Sequence, residues 1–525
     1  MSHSATEPTT VKPAADAQPP RRNWGWLRIS LTDVFFVTLI LWLFIASPQG
    51  WDRLVWDGDV ALHTRIGDYI LDNGVIPSTD PFSFTAFGAR WFAFQWLSGV
   101  LFALLNKWAG LKAIVLLCGS IIALSFTVLL RDMIRRGANG LLALLLVLVA
   151  ATASMIHFHA RPHLFTILFL VVAHYLIARD RESPTRKIWL LVPLMVLWVN
   201  LHSGFPVLIV SLVILVVGTA IAAYWDSNIP AKAGVRRYGI LLAACGGATL
   251  LNPNGIRLHL HIWSFLGNDW LMRHVNEYAA PKFRSEAEIY FMVLLIAACA
   301  VLWRLASLRQ WTDFGWVFVF AVGSLMSARN IPLLLVIALP QIAVALTSVF
   351  NSFAKKQSRR SAAVALKELS DRIAQRLAPI SVWAPVSVVL IAVMTSASSW
   401  PTDLSAQYFP RAMVRDHRQL LAESRVFAPD QWGDYLLWVN YPRQRVFMDG
   451  RSDFFAEKIG RDYLTVSNAS AGWREVLARY RVDTVLIPPG FALDEFLDLD
   501  PSWEKLAEDT DAVLYRKTAV PAPGD

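Results

Sequence analysis

Two aspartates one residue apart, Asp57 and Asp59, open a polar stretch that reads WDRLVWDGDVALHTRIGDYILDNGVIPSTDPFSFTAFGARW. A carboxylate at the edge of a membrane cavity, its pKa raised by desolvation, can take a proton from a hydroxyl nucleophile in a transfer reaction. Cations nearby would then stabilise a departing phosphate. Four short turns supply such groups: HFHARPH (His157, His159, Arg161, His163), NLHSGF (Asn200, His202), NPNGIR (Asn252, Asn254, Arg257) and SARNIP (Arg329, Asn330). Together they suit an anionic head group such as a lipid phosphate. The structural alternative for Asp59 is a helix N-cap, worth about 1 kcal/mol. The spacing of His157, His159 and His163 also resembles a metal site, but no carboxylate or Cys accompanies them in the turn, so no metal ligand is assigned.

These residues must be held by membrane-spanning helices. The chain has 525 residues, 55% of them hydrophobic and only 17% charged, well below the roughly 25% charged residues of soluble domains. Apolar runs occupy 31–47, 91–108, 111–130, 139–156, 163–178, 188–201, 205–224, 238–251, 288–303, 314–328, 331–349 and 382–398. A span needs about 18 or more apolar residues for a core near 30 Å, and several of these runs are short. Their polar ends should therefore sit below the surface, facing a wet cavity. The net charge of +9 does not indicate nucleic acid, because Lys and Arg cluster between apolar runs. Cys118, Cys245 and Cys299 all fall in apolar segments and offer no disulfide framework.

Charge fixes the expected threading. Loops 131–138, 179–187, 225–237 and 304–313 hold twelve Lys and Arg, whereas 157–163, 200–205 and 327–331 hold Arg161 and Arg329 alone. The first set is expected in the cytoplasm, with the tail 1–30 that carries Arg21, Arg22 and Arg28. Both conditions hold if 91–108 lies at the outer face as a surface helix. About eleven transmembrane helices then remain. The expected fold class is mostly α, a polytopic helical membrane protein of residues 31–398 with surface helices in the outer loop 48–110. His63, Ile66, Gly67 and Ile70 lie at helical spacing, giving a helix over 60–72 that stops at Asn73-Gly74. Asp80-Pro81 starts a turn. Loop 350–381 reads as a basic amphipathic cytoplasmic stretch.

From about residue 400 the composition turns soluble. Strand signals at 425–428, 445–448, 482–487 and 512–516, with helical patterns at 472–480 and 491–498, predict a small extracytoplasmic α/β domain over 399–525. Arg451 and Asp453 are expected to pair with one another.

An acidic pair after the first membrane helix, in a long outer loop followed by a many-crossing bundle, resembles the GT-C superfamily of glycosyltransferases. The segment from Asp57-Gly58-Asp59 through His63, Gly67, Ile76-Pro77, Thr79-Asp80-Pro81-Phe82-Ser83 and Gln95-Trp96-Leu97 is similar to a poorly characterised bacterial branch. The chain departs from that branch in Gly58, where Pro is usual, and in Gln95, where Glu is common. The similarity continues at Asn252-Pro253-Asn254-Gly255, Ala328-Arg329-Asn330-Ile331-Pro332, Gln431-Trp432-Gly433-Asp434-Tyr435 and Val446-Phe447-Met448-Asp449-Gly450-Arg451-Ser452-Asp453.

The resemblance implies transfer of a sugar from a polyprenyl-phosphate donor to a glycan, lipid or protein acceptor outside the cytoplasm, in a bacterial inner membrane. The catalytic acid maps onto Asp57 or Asp59. His63, Asp80 and Gln95 join His159, Arg161, His163, His202, Asn252, Arg257, Arg329 and Asn330 as expected substrate contacts. The cofactor stays open between a divalent cation such as Mg or Mn and none. The alternatives are a transporter or flippase of lipid-linked saccharide, and a non-catalytic component of envelope polysaccharide assembly. No internal repeat of the transporter kind is evident.

Overall fold

The computed structural model describes residues 27–46, 50–226, 229–274, 278–376, 380–395 and 400–518; Arg21 and Arg22, which bear on the sidedness of the tail, lie outside them. Among the described residues, five helices are long and apolar enough to cross a membrane: Leu111–Arg135, His163–Glu182, Pro206–Trp225, Glu286–Ser307 and Ala328–Ala354. Shorter apolar helices occupy Leu31–Phe44, Gly140–Ala153, Trp311–Met326 and Trp383–Met394. The apolar runs at 188–201 and 238–251 fall on the helices Leu191–Leu201 and Ile229–Ala248. The architecture is mostly helical and of the polytopic membrane kind.

The two ends of this bundle are polar in different ways. His163 and Arg181 stand eighteen residues apart on one helix, about 27 Å at 1.5 Å per residue. At the Arg181 end, charges are locked in pairs. Arg181 donates to both oxygens of Asp313 at 2.9 and 2.8 Å, Arg237 pairs with Asp180 at 2.8 Å, and Arg135 and Arg136 hold Asp132 at 2.8 and 2.7 Å. Asp132, Asp180 and Asp313 are all buried, where an unpaired carboxylate would be costly. The first helix is fixed to the last by another carboxylate: Asp33 closes a capping box with Ser30 and accepts from the Ser381 amide at 2.7 Å.

At the opposite end two helices of the first long loop, Asp59–Asn73 and Trp96–Ala109, pack together. The first stops at Gly74, which takes a left-handed φ of +68°. Their closest approach is at Gly67, where an added β-carbon would lie 2.0 Å from the Gly99 carbonyl oxygen. Trp96 Nε1 donates to Asn200 Oδ1 at 2.9 Å and Ser98 Oγ to the Leu201 carbonyl at 2.7 Å. The pair of helices is thereby seated on the C-terminal end of the helix Leu191–Leu201. Segment 350–381 carries the helix Ala362–Arg376.

The C-terminal part builds a four-stranded sheet in the order β1-β2-β4-β3, from Val426–Phe427, Thr484–Ile487, Trp503–Glu508 and Val513–Lys517 as β1 to β4. β1 and β2 are parallel, and β4 is antiparallel to both β2 and β3. The helices Trp473–Arg479 and Ala492–Asp498 match the sequence reading. The strands differ in two places. Residues 503–508 form β3, a strand absent from the four expected runs; an edge strand with one wet face tolerates charges such as Glu504, Lys505 and Glu508. Segment 445–448 leaves the sheet and bridges to the first long loop instead. Val446 N–H donates to the Phe82 carbonyl, and Phe84 N–H to the Val446 carbonyl, each at 3.0 Å.

The Gly67 contact leaves no space for a side chain. Gly67→Val is expected to lower the thermal midpoint of the detergent-purified protein, at a cost of about 1–3 kcal/mol from overpacking. A matched change at Gly246, where nothing lies within 4 Å of an added β-carbon and the backbone is helical, should cost less.

Candidate functional site

Local hydrogen bonding decides how the two aspartates point. Gly58, not Asp59, is the N-cap of the Asp59–Asn73 helix, and no side chain caps it. The N-cap reading of Asp59 is therefore corrected: the Asp59 amide is taken by Asp57 Oδ1 at 2.9 Å. The Asp59 carboxylate consequently projects from the first turn of the helix towards other elements. Asp59 lines a cavity of about 1140 Å³, and Asp57 stands behind it.

Arg161 ties the pair to the bundle. Its Nε lies 3.1 Å from Asp57 Oδ1 and 2.5 Å from Asp59 Oδ2. The turn that carries Arg161 is docked on the first loop by Ala160 N–H, which donates to the Leu54 carbonyl at 2.8 Å. Arg53 reinforces this by donating to the Met155 carbonyl at 2.9 Å.

The same cavity receives His63, Gln95, His157, His163, His202, Arg329 and Asn330. His163 Nε2 meets the His157 carbonyl at 2.8 Å. His202 Nδ1 accepts from Gly204 N–H at 3.0 Å and meets the Thr166 hydroxyl at 2.7 Å, while that hydroxyl accepts from Trp198 Nε1. This network places the His202 proton on Nε2. Arg329 donates to the Tyr278 hydroxyl at 2.6 Å and lies over its ring. Burial lowers the pKa of His63 to about 4, with Asp59 opposing and Arg161 adding to the shift, so its imidazole is neutral at ordinary pH. Ile167, Ile262, Phe265, Leu266 and Leu333 add apolar wall to the cavity.

Other expected contacts stand away from the cavity lining. Asp80 is buried and braces the loop, accepting from Phe82 N, Ser83 N and Ser83 Oγ and pairing with Arg451 Nη2 at 2.7 Å. His159 Nε2 meets the Ile156 carbonyl at 3.2 Å. Asn252 closes its own turn through the Thr249 and Gly255 carbonyls. Arg257 is exposed.

The C-terminal segments pack against the first loop beside Asp59, through residue contacts that local sequence patterns do not specify. Gln431 Oε1 accepts from Gly58 N–H at 2.6 Å. Arg65 caps the far end of helix Asp430–Asn440 by donating to the Leu437 and Trp438 carbonyls. A β-carbon on Gly450 would fall 2.7 Å from Asp59 Oδ1 and 2.9 Å from Asp434 Oδ2. One on Gly58 would meet Asp434 Oδ2 at 2.7 Å. Two glycines thus bring a carboxyl group of the C-terminal part up to Asp59. Arg451 pairs with Asp449 at 2.6 Å and with Asp80, not with Asp453 as expected, and its guanidinium sits 4.4 Å from the Trp91 ring. Asp453 is taken by His261 at 2.9 Å.

Asp434 is fully buried, accepts from Gly450 N–H at 2.9 Å through Oδ1, and has no hydrogen-bond partner at Oδ2 among the described residues. Burial pushes its pKa well above the usual carboxylate range, and Asp449 and Asp59 push it further. Among the described residues no three His, Cys, Asp or Glu side chains are grouped to hold a metal ion.

Comparison of the whole fold with solved structures finds the oligosaccharyltransferase of Archaeoglobus fulgidus. Its apo form aligns over 89% of this chain and 70% of its own at 12% identity, with a TM-score of 0.53. The same enzyme, AglB, in complex with an inhibitory peptide and a dolichol-phosphate, gives a TM-score of 0.52 at the same identity and coverage. The chain has the GT-C fold. ArnT from Cupriavidus metallidurans, bound to undecaprenyl phosphate, aligns over 95% of this chain and 99% of its own at 14% identity and a TM-score of 0.46. No protein-family model matches the sequence, and no curated protein does. In this chain the acid pair of the first loop, the turn carrying Arg161 and the C-terminal segment at Gly450 converge on one place.

The raised pKa of Asp434 sets a pH dependence. In the unfolded chain the carboxyl ionises near 3.8, whereas in the folded chain it holds its proton to higher pH. Its contribution is fully present below the unfolded value and is lost as pH rises towards the folded one. Thermal melts at pH 5 and pH 8 should show wild type less stable at pH 8 through this group. Asp434→Asn should flatten the difference without abolishing it, because burial displaces Asp430 in the same direction.

Proposed function

We propose that the chain is a glycosyltransferase that moves a sugar from a polyprenyl-phosphate donor to a hydroxyl group of a glycan, lipid or protein acceptor, with Asp59 as general base. One arrangement carries the reading: Asp59 faces a large cavity whose polar end holds Arg161, His163, His202 and Arg329 and whose wall includes Phe265, Leu266 and Leu333. A lipid phosphate needs both kinds of surface. The dolichol-phosphate seen in the archaeal oligosaccharyltransferase of the same fold supports such a donor.

In the reaction, Asp59 removes the proton of the acceptor hydroxyl as its oxygen bonds to the anomeric carbon of the sugar. The bond from that carbon to the phosphate oxygen breaks, and the electron pair leaves with polyprenyl phosphate. Arg329 and the Nε2–H of His202 stabilise the charge on the departing phosphate. Asp57 orients the base by accepting the Asp59 amide and sharing Arg161 with it.

The topology that goes with this reading has eleven crossings, Trp96–Ala109 lying at the outer face, and the C-terminal α/β domain outside the bacterial inner membrane. Its support is the segregation of charge: the paired arginines 135, 136, 181 and 237 lie at the bundle end away from the cavity. The C-terminal domain then closes the site from outside and presents the acceptor.

Purified full-length protein supplied with a polyprenyl-phosphate sugar tests the roles. Asp59→Asn is expected to lose about 10²–10⁴-fold in turnover, and Asp57→Asn to lose less while keeping its fold. Full transfer by a folded Asp59→Asn protein would remove the base from this reading.

A further inference from the structure

The first-loop acids of GT-C enzymes raise the question of a divalent cation, and the residues present here do not fit one. Arg161 Nε already stands 3.1 Å from Asp57 Oδ1 and 2.5 Å from Asp59 Oδ2. Asp57 Oδ1 is further engaged by the Asp59 amide. The imidazoles around the cavity are bonded elsewhere, His163 to the His157 carbonyl and His202 Nδ1 to Thr166 and Gly204. A Mg²⁺ or Mn²⁺ site would want several oxygen or nitrogen donors arranged around one point. Among the described residues no such group of three side chains exists, so an ion here would rest on these two carboxylates and water alone, in the place where Arg161 already stands.

We propose that the guanidinium of Arg161 occupies the place of a divalent ion at Asp57 and Asp59, so that this acid pair works without a metal. The inference rests on the glycosyltransferase reading only for its mechanistic meaning. A guanidinium is a permanent cation with a planar set of donors and suits two carboxylates at once. One such charge against two carboxylates leaves a net negative charge, so a base remains. A divalent ion would cancel the pair and set a second cation beside Arg161. Docking of the turn through Ala160 and Leu54 holds the guanidinium in place, so the cation is part of the fold rather than a bound cofactor.

Mn²⁺ titration of the purified full-length protein, read by electron paramagnetic resonance without any substrate, tests this. Wild type is expected to take up no stoichiometric Mn²⁺ at micromolar concentration. Arg161→Ala should gain one site per chain, and that site should vanish when Asp57→Asn and Asp59→Asn are added. Arg161→Lys, which keeps a cation, should gain none. One Mn²⁺ per wild-type chain that Asp57→Asn and Asp59→Asn abolish would overturn the inference, and so would a folded Arg161→Ala protein that binds none. The comparison of wild type with the double Asn variant stands even if Arg161→Ala does not fold. In the transfer assay, chelator should change the wild-type rate less than two-fold. The metal titration needs no turnover, so failure of transfer would count against the proposed function and leave the titration result intact.

Discussion

The architecture of the site turns on one contact, a guanidinium from the turn before a membrane helix held between two carboxylates of the first long loop. Neither partner is fully exposed, and unpaired charges at such a depth would be costly. The contact therefore ties three things together: the direction of the first-loop helix, the position of the HFHARPH turn, and the electrostatic character of the cavity. Asp57 sustains it through one oxygen, Oδ1, which accepts the Asp59 amide and stands beside the Arg161 guanidinium. Asp59 is left directed into the cavity.

Glycine makes the second layer possible. Gly58 and Gly450 carry no β-carbon where Asp434 and Asp59 approach, and Gly433 has the Met448 carbonyl 2.0 Å from where its own would be. Close backbone approach lets the C-terminal part sit directly on the acid pair. Asp434 is buried there, and burial beside Asp449 and Asp59 favours its neutral form over its charged one. The C-terminal sheet is thus a scaffold that delivers two short segments, Asp430–Asn440 and 446–451, to the first loop, and Arg451 secures the second of them through Asp80 and Trp91.

Much of this was legible in the sequence where the signal is local or topological. Charge in alternating loops sorted the polar residues by bundle end, and Asp59, Arg161, His163, His202, Arg329 and Asn330 do line one cavity. The helix after Asp59 and its stop at Gly74 followed from spacing and a C-cap signal. What stayed hidden depends on contacts between residues far apart in the chain. Val446 reads as a strand and pairs, but with Phe82 and Phe84 rather than the sheet. Arg451 has an acid two residues on either side and chooses Asp449 and the distant Asp80. Asp434 had no local mark beyond its place in Gln431-Trp432-Gly433-Asp434-Tyr435; neighbouring Gly and Asp in that segment and in Asp449-Gly450 were the available hint of a tight approach. Asp59 looked like an N-cap because spacing cannot tell which of two nearby carboxylates takes the helix amide.

The central claim is that the cavity beside Asp59 receives a polyprenyl phosphate. Photo-crosslinking of the purified full-length protein with a diazirine-bearing polyprenyl phosphate, mapped by mass spectrometry, tests it most directly. Labels are expected on segments that bound the cavity, 163–167, 203–207 and 326–333, and should disappear when unlabelled polyprenyl phosphate competes. Labels restricted to outward-facing helix surfaces such as 292–303, or indifferent to the competitor, would contradict it.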